Sequence, residues 1–174
     1  KEMQNRVSSI LKKEAVGLSW LGTFHSVCAK LLRKHAPAAG LNSNFTIIDT
    51  DDQIRLIKNI CKSENIDIKH LAPKYILSII DRWKNKGYLP NQVIINKKDI
   101  YEKTVLPLYK IYQQKLLDLN ACDFGDLILH CVNILENNFD INKIYSNNFK
   151  YIMVDEYQDT NFIQSKWLNL LAKK

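Results

Sequence analysis

Glycine and proline, the residues that most often end helices, are scarce in this chain, with 5 glycines and 4 prolines among 174 residues. Long segments with apolar residues at every third or fourth position are therefore free to form amphipathic helices. Such spacing predicts helices over residues 2–16, 26–35, 51–61, 73–86, 99–119, 124–137 and 161–172. We expect Thr50 or Asp51 to cap the third of these helices and Gly87 to follow the fourth. Pro107 should kink or restart the fifth.

Three short segments have the composition of strands instead. Residues 18–23 mix aromatic and β-forming side chains, residues 45–49 form a short extended piece, and residues 151–155 are the apolar run YIMVD. A continuous apolar run without alternation is typical of a central parallel strand that is covered on both faces. Strands thus occur towards both ends of the chain, with helices between them. This order predicts a mainly α protein, in which an all-helical insertion subdomain is flanked by an incomplete α/β domain.

Three carboxylates, those of Asp155, Glu156 and Asp159, come directly behind that apolar run. In open α/β sheets, ligands bind just beyond the carboxyl ends of the strands, where Asp155 and Glu156 are expected. One carboxylate there can hold Mg²⁺, often through water, while its neighbour polarises an attacking water as a general base. Gln158 adds a neutral side chain that can orient water or contact a γ-phosphate. The alternative is an acidic turn, in which Asp155 is a cap and Asp159 begins the next helix.

The segment GTFHS, residues 22–26, lies at a predicted junction between a strand and a helix. Such junctions expose backbone N–H groups that suit phosphates. The segment offers hydroxyls from Thr23 and Ser26, a ring donor from His25, and an aromatic face from Phe24 that can stack on an unpaired base. The alternative is that Phe24 and His25 belong to the hydrophobic core.

The net charge and the composition of the chain indicate which class of molecule it binds. A net charge of +7, from 25 basic and 18 acidic residues, favours polyanions such as nucleic acid. Arg82, Lys84 and Lys86 are expected on the helix face opposite Trp83, either as a duplex-facing patch or as an ordinary solvated surface. No window approaches the roughly 18 continuous apolar residues of a membrane span, and the polar N-terminus is unlike a signal peptide. We therefore expect a cytoplasmic protein without membrane contact, whose four cysteines are buried free thiols.

Taken together, these segments resemble the UvrD/PcrA/Rep-like superfamily 1 DNA helicases. DEYQDTN at residues 155–161 is similar to their motif II, the Walker B motif, although the family more often has Phe where this chain has Tyr157. GTFHS at residues 22–26 resembles motif Ib. Residues 31–58 are similar to the start of the helical 1B insertion, and residues 108–128 resemble the return into the first RecA-like domain. The order and spacing of these segments agree over essentially the whole chain.

The resemblance implies an organisation and a set of ligands. Residues 1–36 and 123–174 would be parts of a RecA-like ATPase domain of the P-loop NTPase type, and residues 37–122 would be the helical 1B insertion. The cofactors would be ATP and Mg²⁺. The partners would be single-stranded DNA and junctions between single-stranded and duplex DNA, with repair or replication proteins as further candidates.

The resemblance also implies roles for individual residues. Asp155 would coordinate Mg²⁺ through water, with Glu156 beside it, and Glu156 would activate the hydrolytic water. Gln158 would contact the nucleotide and link its γ-phosphate to the DNA groove. The residues that would contact single-stranded DNA are Thr23, Phe24, His25 and Ser26.

No GxxxxGKS or GxxxxGKT sequence, the phosphate-binding P-loop, occurs in these 174 residues. The leading hypothesis is a piece of an ATP-dependent 3′-to-5′ DNA helicase of repair or replication that is inactive by itself. One alternative is the helicase subunit of a helicase-nuclease of the AddA or RecB type, and another is a non-catalytic DNA-binding or protein-docking module. The three acids lie too close together in the sequence to enclose a substrate, which disfavours a stand-alone metal-dependent hydrolase.

Overall fold

The computed structural model describes residues 5, 6, 9, 20–95 and 99–172, and within them the fold is mainly helical. Of the helix predicted over residues 2–16, only residues 5, 6 and 9 are described, and these are helical; the rest lies outside the described residues. The helices between residues 24 and 171 are α1 (Phe24–Lys34), α2 (Thr50–Ser63), α3 (Pro73–Asn85), α4 (Ile100–Asp118), α5 (Phe124–Asn137), α6 (Phe139–Asn148) and α7 (Phe162–Leu171). Two short 3₁₀-helices, Ala36–Ala39 and Tyr157–Asp159, follow α1 and precede α7.

A small parallel sheet connects two parts of the chain that are distant in sequence. Its strands are β1 (Thr46–Ile47) and β2 (Ala121–Cys122), with Thr46 opposite Ala121 and Ile47 opposite Cys122. The extended piece predicted over residues 45–49 is thus confirmed as a strand of two residues. The pairing joins the segment before α2 to the segment after α4, so the chain leaves and returns at the same place.

The other two predicted strands are wrong. Residues 18 and 19 lie outside the described residues, but Trp20–Thr23 form a turn and the entry to α1, because the side chain of Thr23 caps that helix. Residues 151–154 have no strand geometry, and the side chains of Tyr151 and Met153 are 89% and 97% exposed. A central strand needs neighbours to satisfy its backbone N–H and C=O groups. Within the described residues, β1 and β2 pair only with each other.

Helix ends follow local side-chain chemistry, with two departures from the predictions. The cap of α2 is Asp49, whose Oδ1 accepts from the Asp52 N–H at 2.9 Å, rather than Thr50 or Asp51. Helix α4 runs without interruption through Pro107. Gly87 follows α3 with φ of 78°, the left-handed conformation expected of a residue that ends a helix. Helix α6 was not predicted from the sequence.

The buried residues form two separate hydrophobic cores. The first core contains side chains from α1, α5, α6 and α7, together with Leu41, Phe45 and Cys122. The second core contains side chains from α2, α3 and α4, together with Leu71 and Ala121. The chain passes into the second core after β1 and returns to the first at β2, so the two cores meet where the two strands pair. All four cysteines are buried free thiols.

None of the helices in the described part of the chain is long and apolar enough to cross a membrane.

Candidate functional site

The first predicted site segment, Thr23–Ser26, forms the beginning of α1. Thr23 is the cap of the helix, and its hydroxyl accepts from the Ser26 N–H at 3.3 Å. The Ser26 hydroxyl donates back to the Thr23 carbonyl at 2.9 Å. A Cβ at Gly22 would meet the Ser26 hydroxyl, so a larger residue there would displace that hydroxyl from its hydrogen bond to Thr23. Both hydroxyls are exposed but already engaged in ordering the start of the helix.

The two aromatic residues of this segment differ in their surroundings. Phe24 is half-buried and meets Trp167 of α7 edge-to-face, with ring centroids 6.0 Å apart, so it packs on the first core. His25 is also half-buried, but it faces Phe124 at the first turn of α5, with centroids 5.8 Å apart and planes at 81°. Burial lowers the pKa of His25, so its ring is neutral at pH 7. His25 can therefore offer a ring edge and a hydrogen bond, without a charge.

Phe124 is a candidate site residue that sequence reasoning missed. Its side chain is 51% exposed, and with His25 it forms one wall of an open cleft of about 250 Å³. The other walls come from the start of α2 and from α3, whose Asp81 and Asn85 carry polar groups into the cleft. The available signal in the sequence was an aromatic residue immediately after Asp123, the predicted cap of the helix.

The second predicted site segment, Asp155–Asp159, forms a tight exposed turn. Glu156 has φ of 50° and ψ of 45°, a left-handed conformation that costs an ordinary residue about 1 kcal/mol. Its N–H donates to Asp155 Oδ1 at 3.1 Å, and its carbonyl accepts from the Asp159 N–H at 3.0 Å. The Gln158 amide donates to a carboxylate oxygen of Glu156. Strained non-glycine residues are concentrated at functional sites, although the strain alone assigns no function.

The carboxylates of this turn suit a hydrated Mg²⁺ better than a metal that needs several protein ligands. The described residues contain no group of three or more His, Cys, Asp or Glu side chains placed to hold a metal. Mg²⁺ needs no such group, since it commonly keeps most of its waters and binds one or two carboxylates plus substrate phosphates. Asp155 and Glu156 are adjacent and exposed, so this chemistry fits them.

The two segments are connected through α7, which begins right behind the acidic turn. Asn161 caps α7 and donates from its side-chain amide to Asn85 Oδ1 at 3.0 Å, and Asn85 lines the cleft next to His25. Trp167, later in the same helix, contacts Phe24. Gln158 itself makes no hydrogen bond to Thr23–Ser26 among the residues that the structure describes. The segments are thus linked through α7, whose Trp167 contacts Phe24 and whose capping residue Asn161 contacts Asn85 of the cleft.

A buried polar cluster lies beneath the cleft, and its central residue contradicts a prediction. Lys84, expected on an exposed face of α3, has a fully buried side chain. Its Nζ contacts Asp123 Oδ2 at 2.6 Å and Asp126 Oδ1 at 2.7 Å, while Tyr112 and Gln113 of α4 hydrogen-bond the same two carboxylates. We call these five residues the Lys84 cluster. Ile76 and Ile80 precede Lys84 at intervals of four, so helical spacing already placed it on the buried side.

Comparison with known proteins shows the family to which the chain is similar. The chain matches the UvrD/REP helicase N-terminal domain family over residues 1–174. It is 43% identical to the probable DNA helicase II homolog of Rickettsia conorii over 175 residues, which is 99% of this chain and 26% of that protein. It is 41% identical to the ATP-dependent DNA helicase PcrA of Staphylococcus epidermidis, covering 100% of this chain and 24% of that protein. The PcrA of Staphylococcus aureus is 39% identical over the same share.

A mainly helical chain that matches this family from end to end belongs to the UvrD/REP helicase N-terminal domain family. The resemblance seen in DEYQDTN and GTFHS is thereby confirmed at the level of the family. The chain spans about a quarter of the length of the curated relatives it matches.

Proposed function

We propose that these residues are the N-terminal part of an ATP-dependent DNA helicase that moves 3′ to 5′ on single-stranded DNA. In the whole protein, which we place in the cytoplasm, this activity would unwind duplex DNA at junctions during repair or replication. The names of the relatives support an ATP-dependent DNA helicase. The observation that carries the DNA-binding part is His25 and Phe124 together at the wall of an open cleft.

The division into domains follows from the same proposal. Residues 37–122 would be the helical 1B insertion, and residues 1–36 and 123–174 would belong to the RecA-like ATPase domain. The two separate cores support this division, because the second core is built wholly from residues between Ile57 and Ala121. The first core, however, also includes three residues that lie within the proposed insertion, namely Leu41, Phe45 and Cys122. The structural transition therefore falls near the paired strands β1 and β2.

The acidic turn would serve nucleotide hydrolysis. Asp155 would hold Mg²⁺ through water, and bound Mg²⁺ would neutralise charge on the phosphates of ATP. Glu156 would accept the proton of the attacking water, because its carboxylate is exposed next to Asp155. Gln158, which donates to Glu156, would fix the orientation of that carboxylate and sense the γ-phosphate. A chain without a P-loop has no cradle for the β- and γ-phosphates, so we propose that these 174 residues alone hydrolyse no ATP.

The cleft wall would bind single-stranded DNA. Aromatic side chains stack on unpaired bases of any sequence, and such stacking contributes about 1–3 kcal/mol per base. Phe124, with half its side chain exposed, is better placed for this than Phe24, which packs on Trp167. The neutral ring of His25 would contact a base or a sugar, whereas Thr23 and Ser26 would present the start of α1 to a phosphate.

Fluorescence anisotropy of a labelled oligo-dT with the 174-residue chain tests the DNA-binding proposal. We expect weak binding that falls steeply as salt rises, because lysines and arginines neutralise phosphates. His25→Ala and Phe124→Ala should each raise Kd about tenfold without changing the slope of log Kd against log salt, since neither carries a charge. The matched control is Phe139→Ala on α6, because Phe139 is 76% exposed and does not line the cleft.

Two results would contradict this assignment. If Phe139→Ala weakened binding as much as Phe124→Ala, the loss would reflect general aromatic contact and the cleft would not be the site. If His25→Ala left Kd unchanged while the wild-type chain bound oligo-dT, the DNA would bind elsewhere on this basic chain.

Phosphate release, measured with and without single-stranded DNA, tests the proposed inactivity of the chain. Glu156→Gln is the control for contaminating ATPases. We expect the same background rate from both proteins. Turnover in the wild type that disappears in Glu156→Gln would mean a complete nucleotide site within these residues, and the proposal would be wrong.

A further inference from the structure

Both carboxylates of the Lys84 cluster are fully hydrogen-bonded, whereas the Gln113 Oε1 is buried without a hydrogen-bond partner in the part of the chain that the structure describes. Asp123 Oδ2 accepts from Lys84 at 2.6 Å and from the Tyr112 hydroxyl at 2.9 Å, and its Oδ1 accepts from the Asp126 N–H at 2.9 Å. Asp126 Oδ1 accepts from Lys84 at 2.7 Å and from the Gln113 amide at 3.0 Å, and its Oδ2 accepts from the Asp123 N–H at 3.2 Å. All four carboxylate oxygens thus have partners, which come from α3, from α4 and from the capping turn of α5 itself.

Stability alone does not account for burying three charges here. Removing ions from water is so costly that apolar residues of similar volume commonly stabilise a protein as well as a buried ion pair, or better. What the ion pair adds is a fixed position, because moving either carboxylate away from the buried ammonium would leave a charge unpaired. The Lys84 cluster is therefore best explained by what it holds in place.

The element held in place is the first turn of α5. Asp123 and Asp126 form the capping box of this helix, and Phe124 lies between them. A Cβ at Gly125 would approach the Lys84 Cδ to 3.0 Å and Asp123 Oδ1 to 3.4 Å, so the lysine stem packs directly under this turn. Lys84 belongs to α3, and Tyr112 and Gln113 belong to α4, both helices of the second core. His25, the neighbour of Phe124, belongs to α1, whose buried residues lie in the first core.

We propose that Lys84 is a positioning residue for the DNA-binding cleft: the Lys84 cluster holds Phe124 of α5 against His25 and so couples the second core to that wall. This inference rests on the proposed function for its DNA part. The pairing of the two rings is a separate structural consequence that can be measured without DNA. A movement of α3 relative to α1 would shift Phe124 with it, which makes the cluster a route from the second core to the wall formed by His25 and Phe124.

The test needs a variant that removes the link and keeps the helix cap. The triple variant Lys84→Met, Asp123→Asn and Asp126→Asn does so, because asparagine is as good a capping residue as aspartate and no charge is left unpaired. Two measurements are made on the 174-residue chain: the NOE between the ring protons of His25 and Phe124, and the Kd for oligo-dT. Phe124→Ala is then added to both the wild type and the triple variant to complete a double-mutant cycle.

We expect the triple variant to unfold cooperatively like the wild type, to lose the ring–ring NOE, and to bind oligo-dT about tenfold more weakly. If Lys84 acts through Phe124, the added Phe124→Ala costs about tenfold in the wild type and less than about twofold in the triple variant. An intact NOE, or additive losses in the cycle, would overturn the inference.

Two further outcomes are distinguishable from these. If the wild-type chain binds no oligo-dT, the proposed DNA-binding function fails, and the NOE alone decides whether Lys84 positions Phe124. If the triple variant does not fold, the single change Lys84→Met replaces it at pH 5, where protonation of a buried carboxyl offsets the lost charge, because it removes the ammonium that joins the two carboxylates and keeps the stem under Gly125. A weakened ring–ring NOE in Lys84→Met would support the inference, and an unchanged NOE would overturn it.

Discussion

Replacing Lys84 by methionine should destabilise the protein more than any change of similar size on its surface. Methionine keeps most of the buried stem under Gly125, so the main loss is the ammonium group between Asp123 and Asp126. The two carboxylates remain buried without a counter-charge. Removing one partner of a buried ion pair lowers the free energy of unfolding by about 3–5 kcal/mol. The total free energy of unfolding of a domain is only about 5–15 kcal/mol. For a chain of this length, that cost corresponds to a fall in Tm of about 10 °C.

The cost should depend on pH with a predictable sign. In the wild type, burial and the charge of Asp126 already raise the pKa of Asp123, while Lys84 opposes that rise and lowers the pKa of Asp126. Without Lys84, at least one carboxyl has a folded-state pKa well above its value in the unfolded chain. Folding then takes up a proton, so the variant gains stability as the pH falls towards the unfolded pKa of about 4. The difference from the wild type should therefore shrink by about 1.4 kcal/mol for each pH unit below that raised pKa.

Urea unfolding at pH 8 and at pH 5, followed by circular dichroism, measures both quantities. Lys110→Met on the exposed face of α4 is the control, and it should change the free energy of unfolding by less than about 0.5 kcal/mol. A loss below about 1 kcal/mol for Lys84→Met at pH 8 would refute the reasoning about the buried ion pair. An equal loss at pH 5 and pH 8 would refute the assignment of the cost to unpaired carboxylates.

Three further changes test other parts of the structure. Burial and the charge of Asp123 raise the pKa of Asp81 to about 6, so folding takes up a proton there. Asp81→Asn should then stabilise the protein by about 1 kcal/mol at pH 8, after allowance for solvent screening, by about half as much at pH 5, and by nearly nothing below the unfolded pKa of about 4, while equal urea midpoints at pH 8 would contradict this. Asp49→Ala should lower the free energy of unfolding by about 1 kcal/mol because the α2 cap is lost, whereas Thr50→Ala should lower it little. A larger loss for Thr50→Ala in thermal unfolding would mean that Thr50 is the cap. In a longer protein that joins these residues to a P-loop, Glu156→Gln should keep ATP binding and abolish turnover, and near-normal kcat would exclude Glu156 as the base.

The helices and their ends were largely predictable from the sequence, because they depend on local spacing and on one or two capping side chains. The apolar stripe and Gly87 defined α3, and Asp123 together with Asp126 defined the start of α5. Family membership was also predictable from the sequence, since DEYQDTN and GTFHS are short contiguous segments. A residue that caps or ends a helix acts on the neighbouring turn of the same helix, so the sequence around it is enough to predict its role.

What depends on partners far along the chain was decided only by the tertiary structure. YIMV has the composition of a central strand, yet Tyr151 and Met153 are exposed, because strand geometry needs a neighbouring strand that the composition cannot supply. Lys84 is charged and was expected in solvent, yet it is buried, because two carboxylates about 40 residues away compensate its charge. Phe124 likewise meets His25 across two helices, α5 and α1, that are distant in sequence. Backbone propensity is a property of a segment, whereas burial, charge pairing and the shape of the cleft depend on which segments the fold brings together.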